Sequence, residues 1–123
     1  MKNFEGANTM RIHMDRVLTV FGGEAITHTD DSGHRRPMTV RDVMVAMLSA
    51  MPSAGKEANE ETWALGERIL KAGEYLECIT ASEAHVLVGA VKTNPSRFSV
   101  VIVTQLWRAL DSAVDDVVKE TQQ

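Results

Sequence analysis

Two helix starts are spelled out in this chain, Thr39-Val-Arg-Asp42 and Thr80-Ala-Ser-Glu83, and each opens a run of apolar residues three and four positions apart. Thr39 is placed to cap the first of these helices, with the Asp42 carboxylate near its positive end. Thr80 and Glu83 form a capping-box sequence in which each side chain satisfies the other residue's backbone N–H. These two fixed points leave little freedom in between. After Thr39, the residues Val40, Val43, Met44, Met47, Leu48 and Met51 make the apolar stripe of an amphipathic helix that Pro52-Ser-Ala-Gly55 ends. After Thr80, the stripe Ala84, Leu87, Val88 and Val91 runs to Asn94-Pro95, which closes that helix.

Two further helices complete the helical part. The segment Asn59 to Ala72 carries acids in its first turn, places Trp63, Gly66, Ile69 and Leu70 along one side, and stops at Gly73. The last, roughly Ser96 to Lys119, buries Ile102, Val103, Leu106, Leu110, Ala113 and Val117. Val100, Val101 and Trp107 widen its apolar surface beyond one stripe. This is the pattern of a central helix or of one that meets a partner, and Trp is a favoured interface anchor.

The front of the chain reads differently. From Met10, the residues Ile12, Met14, Leu18 and Val20 share one parity while Arg11, His13, Asp15 and Thr19 share the other, which is the alternation of a half-buried strand. Gly22-Gly23 breaks the run, and Glu24-Ala-Ile-Thr-His28 follows as a second short strand. Thr29-Asp-Asp-Ser-Gly33 is a turn, because Asp and Ser bond their own backbone and Gly accepts positive φ. The expected fold is α+β, an N-terminal antiparallel β-hairpin packed against about four α-helices. The division along the chain is a flexible arm over 1–9, a single domain over 10–119 and a polar tail over 120–123.

His28, Asp30, Asp31 and His34 are dense enough to suggest a metal, but a calcium loop begun at His28 would put Thr39 at the position that requires Glu, and a hairpin tip explains the segment better. Cys78 and His85 are separated by a capped helix start that aims them apart, and a lone Cys is commonly a small buried hydrophobe. Glu60-Glu61 and Asp115-Asp116 are sequence neighbours on helices, so their side chains diverge by about 100°. There is no phosphate-binding glycine motif. No catalytic residue, metal site or cofactor is assigned, and the chain is read as a non-enzyme.

Charge narrows the partner class. The formal net charge is −4, and residues 43–96 hold seven acids against four bases. The basic group Arg35, Arg36 and Arg41 is flanked by Asp30, Asp31 and Asp42, which argues against nucleic acid, since phosphate tracking needs clustered cations. A small nucleic-acid-binding regulator using Arg35, Arg36 and Arg41 is the alternative to the leading expectation of a protein partner. Residues Val100, Trp107, Arg35 and Arg36 are the candidate interface, and self-association is one way to use it. A single Cys excludes an internal disulfide, and no window approaches a membrane span, so a cytoplasmic protein is expected.

The succession Arg16-Val-Leu-Thr19, Gly23-Glu-Ala-Ile26, Asp31-Ser-Gly33 and Pro37-Met-Thr-Val-Arg-Asp-Val-Met44 resembles the opening of small proteins encoded by tailed phages and prophages. The likeness continues through Ala64-Leu-Gly-Glu-Arg-Ile-Leu-Lys-Ala72, Ile79-Thr-Ala-Ser-Glu83 and Val103-Thr-Gln-Leu-Trp107. What the resemblance implies is a phage accessory or morphogenesis protein acting through protein contacts in a bacterial host. It carries over no catalytic residue.

Overall fold

Every donor at the start of the first helix finds a partner, and those partners shape the front of the chain. The computed structural model describes residues 11–77, 79–93 and 99–122, with side chains of the last helix described only to residue 111. Helix α1 (Val40–Ser49) opens with the predicted Thr39 cap, which the structure completes as a capping box: the Thr39 side chain accepts from the Asp42 N–H while the Asp42 carboxylate accepts from the Thr39 N–H. The next two donors reach back in sequence: the Val40 N–H donates to the Arg16 carbonyl at 3.0 Å and the Arg41 N–H to the Met14 carbonyl at 3.0 Å. Helix starts leave such N–H groups without internal partners, so a chain segment that supplies carbonyls there is held tightly.

This use of residues 14–16 explains a departure from the expected long first strand. β1 covers only Ile12–His13, because the backbone turns at Met14 and Asp15 to present carbonyls to α1. Its ladder partner is not the following segment but β4 (Tyr75–Leu76), antiparallel, with Ile12 opposite Leu76. The expected pairing across Gly22-Gly23 is present as a short antiparallel contact with Thr19 opposite Ala25, and a second hairpin follows from β2 (Thr27–Thr29) and β3 (Arg35–Pro37), with His28 opposite Arg36. At its tip, Asp30 accepts from the Ser32 and His34 N–H groups, and Gly33 takes φ 85°, a conformation that suits a residue lacking Cβ.

Between these elements, three extended segments close on one another. The Leu18 N–H donates to the Met38 carbonyl at 2.8 Å, Met38 to Ile26 at 2.7 Å, and Ile26 to Leu18 at 2.9 Å. The outer edge at Thr19 is covered by Gln105, whose amide nitrogen donates to the Thr19 carbonyl while its oxygen accepts the Thr19 N–H. A side chain thus does what a neighbouring strand would do, blocking that edge from pairing elsewhere.

The helices follow the expected order with shifted ends. α2 is Lys56–Lys71, beginning before Asn59, whose side chain instead reaches back to the Ala54 N–H and the Ser53 hydroxyl. α3 is Ala81–Thr93, and the Thr80–Glu83 capping box forms as predicted. α4 is Val100–Gln122, carrying helix past the expected end at Lys119, with Ser99 supporting its first turn. The expected arm over 1–9, Cys78, Asn94-Pro95 and the side chains of Ala113, Asp115, Asp116 and Val117 lie outside the described residues. No described helix is long and apolar enough to cross a membrane.

One core joins all of this. Ile12, Met14 and Leu18 from the front, Val43, Met44 and Met47 from α1, Leu65 and Ile69 from α2, Leu87 and Val91 from α3, and Leu106 and Leu110 from α4 are all buried. Flexible Met side chains fill the spaces between branched neighbours, so the core gets by with few aromatics. The fold is α+β, as expected, with α1 at its centre touching both α2 and α3.

Arg41 locks this arrangement. From the first turn of α1 its guanidinium bonds the Ile69 carbonyl at 3.1 Å, the Ala72 carbonyl at 2.7 Å and the Gly73 carbonyl, and it pairs with Asp15 at 3.1 Å. These carbonyls close α2, where a cation complements the helix dipole. Replacing Arg41 by Met should lower stability by about 2–4 kcal/mol, since charge-assisted bonds at a partly buried site are lost together. Lys cannot span the same acceptors and should recover only a minor part. Urea unfolding followed by circular dichroism reads this as a lower midpoint at unchanged slope.

Candidate functional site

Helix α2 has two apolar lines, and only one of them faces the core. Leu65 and Ile69 are buried, at 1% and 0% exposure, while Trp63 and Leu70 stand at 71% and 61%. At 100° per residue Trp63 and Leu70 fall within about 20° of each other and about 130° from the Leu65–Ile69 line. The expectation that Trp63 and Leu70 belong to the packed side with Ile69 is therefore corrected: packing against α1 selects Leu65 and Ile69, which leaves the other stripe outward. Gly66 and Thr62 lie between the two lines.

Beside this stripe, α1, α2 and the loop that joins them line an open groove of about 510 Å³. Val45, Leu48 and Ser49 form the α1 wall, and Trp63, Gly66 and Leu70 belong to the α2 wall. The connecting loop closes one end with Met51, Pro52 and Ser53. Several polar groups that line it are already engaged. The Ser49 hydroxyl donates to the Val45 carbonyl at 2.8 Å, and Asn59 spends its amide on Ala54 and Ser53. Apolar side chains thus dominate what the groove presents, and single exposed hydrophobes are common while a contiguous set beside a cleft marks an interaction surface.

The residues singled out from sequence do not converge. Val100 is 71% exposed at the start of α4, whereas Trp107, seven residues on, is half-buried against the core. Arg35 and Arg36 lie on the hairpin. Arg35 donates to the Thr27 hydroxyl at 2.6 Å, and Arg36 Nε meets Asp30 Oδ2 at 2.5 Å. Arg41, grouped with them in sequence, is turned inward onto α2. No hydrogen bond or ion pair joins Val100 or Trp107 to Arg35 or Arg36 among the described residues.

The hairpin tip does not gather ligands either. His28 Nε2 approaches Asp42 Oδ2 at 3.4 Å, which rests β2 on the first turn of α1, and Asp30 faces inward along its own turn. Hydrogen bonding from the His34 N–H is the leading influence on Asp30; with bonds from Arg36 and Ser32 it holds the carboxyl below its ordinary range despite partial desolvation. Among the described residues no group of three His, Cys, Asp or Glu side chains is arranged to hold a metal. His13 is a surface residue, stacked on Tyr75 with ring centroids 4.7 Å apart and 3.1 Å from the Glu74 carboxylate.

Glu83 is the other perturbed acid. Burial pushes its carboxyl up, but the bonds from Arg68 and Thr80 and the Arg68 charge outweigh this and hold it below the ordinary value. Arg68 also donates to the Glu77 carbonyl at 2.7 Å, so this pair clamps α2 to the start of α3. Its role is architectural.

Comparison with protein-family models, curated proteins and solved structures returns no match to this chain. The groove therefore stands on its geometry. Because Trp63 and Leu70 contribute nothing to the core, Trp63→Ser and Leu70→Gln should each change stability by no more than about 0.5 kcal/mol, whereas Leu65→Ala on the same helix should cost about 2–5 kcal/mol. Thermal and urea unfolding of the three variants measures the contrast. Strong destabilisation by Trp63→Ser would contradict the placement of that side chain.

Proposed function

We propose that this chain is a non-enzymatic interaction protein, of the accessory or morphogenesis type that tailed phages encode, and that it docks a protein partner in the groove between α1 and α2. The observation that carries the reading is the Trp63–Leu70 stripe exposed beside an apolar cleft. Burying an exposed Trp and Leu is strongly favourable, and aromatic anchors seated in apolar clefts dominate interface energetics. The phage setting rests on the resemblance of the sequence alone.

Nucleic acid draws less support as the ligand. Of the three arginines that reading needs, Arg41 is committed to the end of α2 and Arg36 is neutralised by Asp30. Counterion release requires free, clustered cations, and the hairpin offers Arg35 beside two aspartates. Self-association through exposed Val100 remains a second protein-contact surface, remote in sequence from the groove.

A photo-crosslinking amino acid at position 63 tests the proposal in the protein's native cellular setting, with position 108 on exposed α4 surface as control. The expected result is a discrete heteromeric adduct from position 63 that Leu70→Asp removes. The absence of an adduct at 63, or the same set of adducts from both positions, would overturn the reading.

A further inference from the structure

The occupant of the groove can be specified further, on the premise that the groove is the docking face. Its walls are two helices whose backbone groups are bonded internally, and its polar side chains at Ser49 and Asn59 are satisfied within the chain. An extended peptide laid there would bury a run of N–H and C=O groups with only the Thr62 and Glu67 side chains beside it to pair them, and each group left over costs what an unmade hydrogen bond costs. A helix brings its own backbone bonds and offers only side chains. The spacing agrees with this. Trp63 and Leu70 are seven residues apart, about 10 Å along the axis, which matches two turns of a partner helix carrying anchors at i, i+3 or i+4, and i+7.

Charge then sets the sign. Glu60 and Glu67 are also seven apart, on the flank of the Trp63–Leu70 stripe away from the core, and both are exposed. Neither carboxylate has a salt-bridge partner among the described residues. Lys56 continues the Trp63–Leu70 line at the start of α2, and Lys71 stands at its end, so the flank beside the stripe is acidic at Glu60 and Glu67. In heptad terms Trp63 and Leu70 sit at a positions and Glu60 and Glu67 at e positions, where partner choice in paired helices is set by opposite charges on the facing flank.

Gly66 lies on this face; like Gly89 in α3 it is an interior helix glycine that packing within the chain does not require. It sits in the interior of α2, where glycine costs roughly 0.5–1 kcal/mol relative to Ala, yet a Cβ built at this position would meet nothing within 4 Å. Packing within the chain gives no reason for glycine here, and the space it leaves is part of the groove.

From these observations we infer that the groove between α1 and α2 receives an amphipathic helix of a partner protein, one whose apolar ridge seats on Trp63, Gly66 and Leu70 and whose Lys or Arg residues, seven apart, face Glu60 and Glu67. Gly66 keeps the groove deep enough for that ridge.

Two helical 18-residue probe peptides test this, identical in their leucine ridge and carrying either Lys or Glu at the flanking positions. Titration calorimetry against the full chain should show the Lys peptide binding at least tenfold more tightly than the Glu peptide. Glu60→Lys/Glu67→Lys should invert that order. Gly66→Leu should melt no lower than the wild type while weakening the Lys peptide at least tenfold, a separation that a purely structural role for Gly66 would not produce. If both peptides bind alike and the charge reversal changes nothing while Trp63→Ala abolishes binding, the basic helix is wrong and the groove reading stands. If neither peptide binds, the helical occupant is wrong, and the position-63 crosslinks judge the docking face separately. Concentration-dependent dimerisation in sedimentation that Trp63→Ala removes would assign the face to a second copy and overturn the inference.

Discussion

The guanidinium of Arg41 is the constraint from which the rest of the arrangement follows. It leaves the first turn of α1 and lands on the carbonyls that end α2, with Asp15 completing its shell. Because the Arg41 backbone N–H is meanwhile held by Met14, one residue fixes the front turn, the start of α1 and the end of α2 to one another. The short β1–β4 ladder sits just outside this knot, since Met14 bonds Glu74 and β4 follows directly. Each link alone is worth little; their shared geometry makes them cooperative.

The same knot determines which face of α2 is seen from outside. With the C-terminal end of α2 fastened to the first turn of α1, the helix can bury only one of its two apolar lines, and Leu65–Ile69 is the one turned inward. At the far end, the loop through Pro52 and Ser53 is braced by Asn59 from within α2, and these residues line the groove. The groove arises from how α1 and α2 are tied at their ends, not from a feature on either helix alone.

This also explains what the sequence could and could not disclose. Local chemistry was legible: Thr39 and Thr80 cap the helices they were expected to cap, and the tip of the hairpin follows from Asp30 and Gly33. The β1–β4 pairing was not. The alternation from Ile12 to Val20 fits a strand, yet it is interrupted because α1 needs the carbonyls of Met14 and Arg16, a demand made by residues far along the chain. Trp63 was misplaced for a similar reason. A helix with Trp63, Leu65, Ile69 and Leu70 offers two stripes, and only tertiary contact chooses between them. The signal that bears on the groove is Gly66 set between Trp63 and Leu70, an interior helix glycine on the second stripe.

Trp63 is 71% exposed in the free chain, and the proposed partner helix would cover it. Fluorine NMR of the chain labelled with 5-fluorotryptophan gives one resonance for each of its two Trp residues, assigned with Trp63→Phe. The account predicts a large H₂O-to-D₂O isotope shift for Trp63 and a smaller one for half-buried Trp107, with the Trp63 shift collapsing when a Lys-flanked amphipathic helix saturates the chain. A shielded Trp63 in the free chain, or one whose shift is unmoved at saturation, would contradict it.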